Sequence, residues 1–308
     1  MITERDLVGC RCFTIENGDL SLTVSEYGAT AMSLTRDGTE LLLGFDSIRG
    51  YEKSDAFVGG IVGRWANRIG GAAFELNGRR FELCANEGEN CLHGGNDGKA
   101  WNKRLWSGKA DGEVSVCFTL NSPDGDNGFP GALTACVEYT LMPDRVRIDF
   151  SGVSDADTYF CPTSHIYFSL GEKNILGAEM QINATGHLEV DSGLIPTGRI
   201  LPMEEDFDFT SPRQIERDYD DCFVLDGAHA CTVQTDEITL KVFTNYPALQ
   251  FYTGTYLDCG IAPNAGFAVE PQFFPDTPNR PEFPDALLKA GEKFTKYVEF
   301  VFESGIKE

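Results

Sequence analysis

The chain has 308 residues, 42% of them hydrophobic, so it can bury a substantial core, and this length allows one or two domains. Its formal net charge is −23, which excludes nucleic acids and anionic membranes as partners because both require a basic protein face. The N-terminus has no signal-peptide pattern and no apolar run reaches the length of a membrane span, so we expect a soluble, cytoplasmic protein.

The cysteines and histidines form no metal-site pattern. Ten cysteines are scattered along the chain without a CxxC pair, and four histidines accompany them. Zinc sites combine these residues at short fixed spacings, and disulfide frameworks belong mainly to short secreted chains. The sequence therefore predicts free, buried thiols, no metal site and no cofactor.

Short strands are predicted from the beginning of the chain to its end. Apolar side chains occupy alternate positions in several runs, such as residues 20–24, 114–118 and 146–150. Asn-Gly and Asp-Gly pairs separate these runs and supply the positive φ that tight hairpins need, most clearly at residues 74–83. Short helical turns are predicted at residues 46–54 and 210–215. The pattern indicates an all-β fold, a single large antiparallel sandwich or barrel over residues 1–308, with few short helices.

The stretch VGGIVGRWANR (58–68) places two arginines, Arg64 and Arg68, beside Trp65 and Asn67. Its glycines depart from strand composition and indicate close backbone approach. An arginine offers a rigid fork of donors that suits sugar hydroxyls or a carboxylate, and it serves equally well in a structural ion pair. A phosphate-binding loop is disfavoured because no Gly-Lys-Ser/Thr ending follows the glycines.

Two histidines occur in different local contexts. His93 belongs to the loop-like stretch NEGENCLHGG (86–95), where it can face a ligand or make a structural hydrogen bond. His165 belongs to CPTSHIYFSL (161–170), a strand-like run in which a hydrogen-bonded interior histidine is the plainer interpretation. Both are candidates for acid–base chemistry.

A proline-rich stretch follows Glu270. This residue ends the apolar run 266–269, and prolines occur at positions 271, 275, 278, 281 and 284. Proline fixes φ and removes an amide donor, so the pattern predicts a strand that ends at Glu270 and continues as a stiff loop. A carboxylate held in this way is well placed for proton transfer. A surface glutamate beside a proline-rich connector is the alternative.

Together these stretches supply acid–base groups and hydroxyl-binding groups. No nucleophile-elbow pattern G-x-S-x-G is present. The nearby Trp65, Phe273 and Phe274 suit stacking on the apolar face of a sugar, and they are equally ordinary core residues.

Nine segments, in order, resemble the aldose 1-epimerases, or galactose mutarotases: GRWANRI (63–69), NGRRFEL (77–83), NCLHGG (90–95), DGDNGFPG (124–131), TSHIYFSL (163–170), IPTG (195–198), YDDCFVL (219–225), LQFYTG (249–254) and EPQFFPDTPNRPEFP (270–284). The resemblance implies a single antiparallel β-supersandwich with a sugar cleft on one face and no cofactor. It implies that Glu270 is the general base, His165 the general acid and His93 the second histidine at the ring. The residues that would hold sugar hydroxyls are Asn67, Arg68, Tyr167, Asp220 and Gln250.

The chain also departs from the family pattern. Ser164 and Ser169 stand where the family usually has asparagine, and Asp221 stands where a Tyr-Asp-His run has its histidine. Pro271 replaces a small polar residue after the base, and Phe273 replaces a common histidine. These changes leave the acid–base residues in place and leave the sugar preference open.

The resulting hypothesis is an isomerase that interconverts the α and β anomers of a free aldohexose of the galactose/glucose class. Its partner would be a small-molecule sugar, and its state a monomer or weak homodimer. Ordinary pKa values, about 4.3 for glutamate and 6.5 for histidine, predict a pH–rate profile with an acidic limb from Glu270 and a basic limb from His165.

Three alternatives remain open at the level of sequence. A hexose-6-phosphate epimerase could use Arg64, Lys103 and Arg104 for the phosphate. A carbohydrate-binding protein without turnover would not need a base. A glycoside hydrolase would need two carboxylates, for which Asp220 and Glu270 are available.

Overall fold

Alternating apolar and polar side chains build the sheets of this protein, whose computed structural model describes residues 1–6, 9–96 and 100–305. In the strand Leu133–Met142, the side chains of Leu133, Ala135 and Val137 are buried while their neighbours are more exposed. Successive side chains of a strand point to opposite faces, so this alternation gives one face to the core and one towards solvent.

The described residues form 28 strands. The first fourteen are β1 (Ile2–Asp6), β2 (Arg11–Asn17), β3 (Leu20–Ser25), β4 (Ala31–Arg36), β5 (Thr39–Glu40), β6 (Ile61–Val62), β7 (Arg68–Ile69), β8 (Ala73–Leu76), β9 (Arg79–Glu82), β10 (Cys91–Leu92), β11 (Ser107–Asp111), β12 (Ser115–Ser122), β13 (Leu133–Met142) and β14 (Arg145–Ser154). The others are β15 (Thr158–Tyr159), β16 (Thr163–Ser164), β17 (Tyr167–Phe168), β18 (Glu179–Ile182), β19 (Ala184–Val190), β20 (Pro196–Leu201), β21 (Arg213–Gln214), β22 (Asp220–Leu225), β23 (His229–Gln234), β24 (Ile238–Thr244), β25 (Ala248–Tyr252), β26 (Phe267–Gln272), β27 (Leu287–Leu288) and β28 (Lys293–Ser304).

Helices are short. The α-helix α1 spans Ile48–Lys53, within the stretch 46–54 predicted from sequence, and five 3-10 turns occur at Gly70–Ala72, Trp101–Lys103, Asp126–Gly128, Glu205–Phe207 and Thr277–Asn279. The helical turn predicted at residues 210–215 is wrong. Arg213–Gln214 form β21 instead, because β18 offers a partner that pairs Glu179 with Gln214. Within the described ranges, no helix has the length and apolar character needed to span a membrane.

Three antiparallel sheets dominate. The largest has nine strands in the order β11-β12-β13-β14-β28-β24-β23-β18-β21, the second has six in the order β17-β26-β25-β22-β19-β20, and the third has five in the order β1 to β5. The remaining strands form two-stranded pairs. This arrangement confirms the predicted all-β, antiparallel β-supersandwich.

The apolar faces of the two largest sheets share one core. Phe150 and Val298 of the nine-stranded sheet belong to the same buried cluster as Phe267 and Val269 of β26. In β26, the side chains of Glu270 and Gln272 alternate with these core residues. The strand period therefore directs Glu270 to the face of the six-stranded sheet opposite the core.

The strand that carries Glu270 is longer than the sequence predicts. It continues through Pro271 and ends at Gln272, and Pro271 pairs with Leu249 of β25. On its other side, β17 pairs only with residues 267 and 268, so the missing N–H of Pro271 breaks no ladder bond there. Thr163 Oγ1 donates a 2.8 Å hydrogen bond to the Pro271 carbonyl, which holds this part of the strand.

The hairpin at residues 74–83 is confirmed. β8 pairs with β9 through a two-residue turn in which Asn77 has φ 52° and Gly78 has φ 72°. Positive φ at both turn residues is what a tight type I′ hairpin needs.

The ten cysteines are free thiols, as the sequence predicts. Cys10, Cys12, Cys91, Cys161, Cys222 and Cys231 are buried, and Cys259 is exposed.

Candidate active site

Glu270 lies on β26, the second strand of the six-stranded sheet, on the face opposite the core. It is only 2% exposed, and Gln250 of β25 is its cross-strand partner. Gln250 donates from Nε2 to Asp220 Oδ1 at 2.7 Å, and Asp220 begins β22. One face of three adjacent strands thus presents two carboxylates with an amide between them that is hydrogen-bonded to Asp220.

His165 reaches Glu270 through the pairing of β17 with β26. Tyr167 is opposite Ala268 in this antiparallel pair, so His165, two residues before Tyr167, approaches Glu270, two residues after Ala268. The His165 Nε2 to Glu270 Oε1 distance is 3.6 Å. The His165 backbone is fixed by hydrogen bonds to Gly59 and Gly60, each 2.9 Å. The glycines at 59 and 60 thus hold the imidazole in place.

His93 follows β10, which pairs with β7. The His93 N–H donates to the Asn67 carbonyl at 3.1 Å, and the Asn67 N–H donates to His93 Nδ1 at 3.2 Å. A backbone N–H can only donate, so His93 Nδ1 is the acceptor and the neutral ring carries its proton on Nε2. His93 is therefore a hydrogen-bond donor at Nε2.

The pairing of β7 with β10 also places Arg68 at the site. Its Nε and Nη2 donate to the two carboxylate oxygens of Glu87, each at 2.7 Å. This is the bidentate geometry in which a guanidinium binds a carboxylate most strongly. The Arg68 side chain is buried by nine-tenths, while Glu87 is about one-third exposed.

These groups line one cleft of about 170 Å³. Of the eight residues predicted for the site, those that line the cleft are Asn67, Arg68, His93, His165, Tyr167, Asp220 and Glu270. Gln250 is not on the cleft wall but behind it, where it holds Asp220. Pockets for drug-sized ligands measure roughly 300–1,000 Å³, so this cleft suits a smaller molecule such as one sugar ring.

Wider hollows exist elsewhere, but their chemistry differs. A hollow of about 440 Å³, lined in part by Glu172 and Asp236, contains no histidine among its described residues. Chemistry, not volume, therefore identifies the candidate site.

Several cleft residues were not singled out in the sequence. Phe57 packs against both histidines, with its ring centroid 4.6 Å from that of His93 and 5.7 Å from that of His165. Tyr252, Tyr256 and Glu87 also line the cleft. Tyr252 lies in the segment LQFYTG, which could have indicated it. Phe57, Tyr256 and Glu87 have no local pattern that separates them from ordinary loop residues.

Other side chains considered above lie away from the cleft. Arg64 is buried and donates to Ser122 Oγ and to the carbonyls of Ser122, Pro123 and Pro130, so its role is structural. Trp65, Phe273 and Phe274 are core residues. Trp65 packs on Phe273 with ring centroids 6.4 Å apart. Asp221 does not line the cleft, whereas Asp220 does.

Burial moves the acid–base residues away from ordinary pKa values. It raises the pKa of Glu270 well above the usual range, and the neighbouring Asp220 carboxylate adds to this rise. Burial lowers the pKa of His165 to about 4, and burial, with smaller contributions from His165 and Arg68, lowers the pKa of His93 well below its usual value. The ordinary pKa values assumed from sequence therefore do not apply in this cleft.

Two histidines and one glutamate are side chains that can bind a metal ion. One ligand atom from each of His93, His165 and Glu270 lies within 4.8 Å of the others. A metal would need the lone pair of His93 Nε2. Because Nδ1 accepts a hydrogen bond from Asn67, the ring proton stays on Nε2 and that lone pair is not available. The tautomer of His93 therefore favours hydrogen-bond donation to a ligand oxygen over metal binding.

Comparisons with known proteins agree on one family. A sequence model of the family described as aldose 1-epimerase matches residues 11–301. The aldose 1-epimerase of Haemophilus influenzae is 35% identical over 94% of each chain, and the galactose mutarotase of Bos taurus is 34% identical over 94% of this chain and 93% of its own.

Solved structures with these names have the same fold. The galactose 1-epimerase from Lactobacillus acidophilus superposes with a TM-score of 0.89 at 29% identity and covers 99% of this chain and 98% of its own. A GalM/aldose epimerase homologue from Caenorhabditis elegans gives a TM-score of 0.91 at 28% identity and covers 96% of this chain and 100% of its own.

The fold and these relatives define an isomerase built on a galactose mutarotase-like β-supersandwich. The chain belongs to the aldose 1-epimerase family.

Proposed function

We propose that this protein interconverts the α and β anomers of a free, neutral aldohexose of the galactose/glucose class, with Glu270 as general base and His165 as general acid. The observation that supports this most directly is the 3.6 Å separation of His165 Nε2 and Glu270 Oε1 in a small cleft. An anionic base and an imidazole at this distance can act on the two oxygens bonded to one anomeric carbon.

The chemistry moves one proton at each end of a hemiacetal. Glu270 removes the proton from the anomeric hydroxyl while the bond between the anomeric carbon and the ring oxygen breaks. The ring oxygen takes a proton from His165, which gives the open-chain aldehyde. Rotation about the C1–C2 bond and the reverse proton transfers close the ring on the other face. Ionised Glu270 favours the protonated form of His165 because the two groups are 3.6 Å apart.

His93 would assist at the ring oxygen without giving up its proton. Its Nε2–H is fixed by the hydrogen bond from Asn67 to Nδ1. Because its pKa lies well below the usual value, it stays neutral and acts as a hydrogen-bond donor. His93 and His165 therefore have different proposed roles.

The other polar residues of the cleft would bind the sugar hydroxyls. Asn67, Arg68, Tyr167 and Asp220 reach the cleft directly. Gln250 would contribute by holding the Asp220 carboxylate. Phe57 and Tyr252 offer apolar surface for the carbon face of a sugar ring.

The hexose-6-phosphate alternative finds no support in the positions of its three candidate cations. Arg64 is directed into the protein, where it binds carbonyl and hydroxyl oxygens. Arg104 forms a bidentate ion pair with Asp126, and Lys103 binds Asp55 at 2.9 Å. Each cation already has a partner.

The direct test is polarimetry on freshly dissolved α-D-galactose and α-D-glucose. Wild-type protein should speed the approach to anomeric equilibrium. Glu270→Gln keeps the size of the side chain but removes the base, so the rate should fall on the order of 10²- to 10⁴-fold while calorimetry still detects sugar binding. Glu292→Gln, at an exposed glutamate, is the control and should retain the wild-type rate.

Three results would contradict the proposal. A wild-type rate in Glu270→Gln would remove Glu270 as the base. Sugar binding by wild-type protein without anomer exchange would indicate a carbohydrate-binding protein, and release of a new reducing end from a glycoside would indicate a hydrolase.

A further inference from the structure

The ion pair of Arg68 and Glu87 occupies the strongest anion-binding group of the cleft. Two donors of the guanidinium fork already bind both oxygens of the Glu87 carboxylate at 2.7 Å. An arginine fork is the group that best binds a carboxylate or phosphate in bidentate fashion. With Glu87 in place, those two donors are not available to a ligand anion.

The other charges at the cleft have the same consequence. The carboxylates of Asp55 and Asp220 also line it, and Arg68 is the one lysine or arginine among the described lining residues. Lys103 lies in an adjoining trough and binds Asp55 at 2.9 Å. His93 favours the neutral form because it is buried, and Glu270 and His165 with one proton between them carry no net charge together. The cleft is therefore an unfavourable place for a negatively charged ligand.

We propose that Glu87 is a specificity-determining residue that makes this cleft reject sugars carrying a negative charge, because its carboxylate occupies the Arg68 fork that would otherwise bind a sugar carboxylate or phosphate. The inference rests on the proposed function, which identifies the ligand as a sugar. It adds that the substrate class is limited to uncharged sugars and assigns that limit to one side chain.

Binding measurements test this separately from catalysis. Isothermal titration would give Kd for D-galactose and D-galacturonate, and for D-glucose and D-glucuronate, with wild-type protein, Glu87→Gln and Glu89→Gln. The useful quantity is the ratio of the Kd of the uronate to that of its parent hexose. Glu87→Gln removes the charge and keeps one acceptor oxygen for Arg68, while its NH2 group cannot accept the second hydrogen bond, so the guanidinium fork is partly released. Glu89 is an exposed glutamate of the same loop and does not line the cleft, so it is the matched control.

In wild-type protein the uronate should bind at least about tenfold more weakly than its parent hexose, and Glu87→Gln should lower that ratio about tenfold. Glu89→Gln should leave the ratio at the wild-type value. Raising NaCl from 50 to 500 mM should lower the wild-type ratio, because added salt screens charge repulsion. This salt dependence tests the charge effect without any substitution.

An unchanged ratio in Glu87→Gln, or equal binding of uronate and hexose by wild-type protein, would overturn the inference. If wild-type protein bound hexoses without exchanging their anomers, only the catalytic proposal would fail, and the ratio would still decide the role of Glu87. If it bound no hexose at all, both proposals would be wrong.

Discussion

At the scale of single residues, we expect Glu270 and His165 to titrate as a pair. The groups are 3.6 Å apart, so apparent pKa values belong to the pair and not to either residue alone. The proposed chemistry needs one proton on the pair, with the carboxylate ionised and the imidazole protonated. Below about pH 4, where His165 titrates, both groups are protonated and the base is lost. Above the raised pKa of Glu270, no proton remains and the acid is lost.

We therefore expect a bell-shaped profile of kcat/KM whose limbs are assigned differently from the sequence-based expectation. The acidic limb should lie near pH 4, and the basic limb should mark the loss of the last proton from the pair. The variant His165→Gln makes the assignment testable, because Glu270 alone must then be ionised. The residual activity of the variant should rise as the pH passes the raised pKa of Glu270. Wild-type activity should fall in the same pH range, so the two profiles change in opposite directions there.

The measurement is kcat/KM for one anomer from pH 3.5 to 10, corrected at each pH for the uncatalysed reaction. Similar profiles for wild-type protein and His165→Gln would show that the two groups do not share a proton. A basic limb near pH 6.5 that disappears in the variant would instead support an ordinary histidine pKa at His165.

At the scale of structural elements, the loop after β10 positions His93 through a close backbone approach. Gly94 has φ +79°, and a Cβ at this position would lie 2.1 Å from the Gly63 carbonyl oxygen. Gly94→Ala must therefore displace the loop or the backbone at residues 63–64. We expect a lower Tm and a slower anomer exchange, because the hydrogen bonds between His93 and Asn67 would be distorted.

Gly38→Ala is the matched control for this prediction. Gly38 has φ +81° and no atom within 4 Å of the added Cβ. Gly38→Ala therefore measures only the loss of stability caused by an alanine in the left-handed backbone conformation, about 1–2 kcal/mol. Thermal unfolding followed by circular dichroism should show a larger loss of Tm for Gly94→Ala than for Gly38→Ala. Equal losses, with a wild-type rate in Gly94→Ala, would contradict the proposed positioning.

The elements also show how far the sequence predicts this protein. Alternating strands and the Asn77-Gly78 hairpin follow from local patterns, because period and turn chemistry act within a few residues. The approach of His165 to Glu270 depends on the pairing of β17 with β26, which joins distant segments. Local patterns contain no information on such pairing, so only the resemblance to a family connected these residues.

Glu87 illustrates the same limit. In sequence it is one acidic residue in the loop NEGEN, where a solvated side chain is the ordinary interpretation. Its contact with Arg68 exists because β7 pairs with β10 and brings the two segments together. The length of β26 was missed for a similar reason, since the tolerance of Pro271 depends on where β17 ends.

At the scale of the whole molecule, the net charge of −23 must oppose folding through self-repulsion. Salt bridges such as Arg147 with Glu299 and Lys241 with Glu303 pair some basic side chains with acidic ones. Because acidic residues outnumber basic ones, the excess negative charge remains unpaired. The same repulsion acts between molecules, so we expect a monomer at low ionic strength. Light scattering at 10 mM NaCl would test this, and a stable dimer under these conditions would contradict it.

Salt should therefore stabilise the folded state near neutral pH. The Debye length falls from about 30 Å at 0.01 M salt to about 3 Å at 1 M, so repulsion among distant carboxylates is nearly removed at high salt. We expect Tm at pH 7.5 to rise by several degrees between 10 and 500 mM NaCl, equally with KCl. At pH 5, close to the isoelectric point near 4.5, much of the net charge is gone and the same addition should change Tm far less. A Tm that ignores salt at pH 7.5, or an equal rise at both pH values, would show that charge repulsion does not limit the stability of this fold.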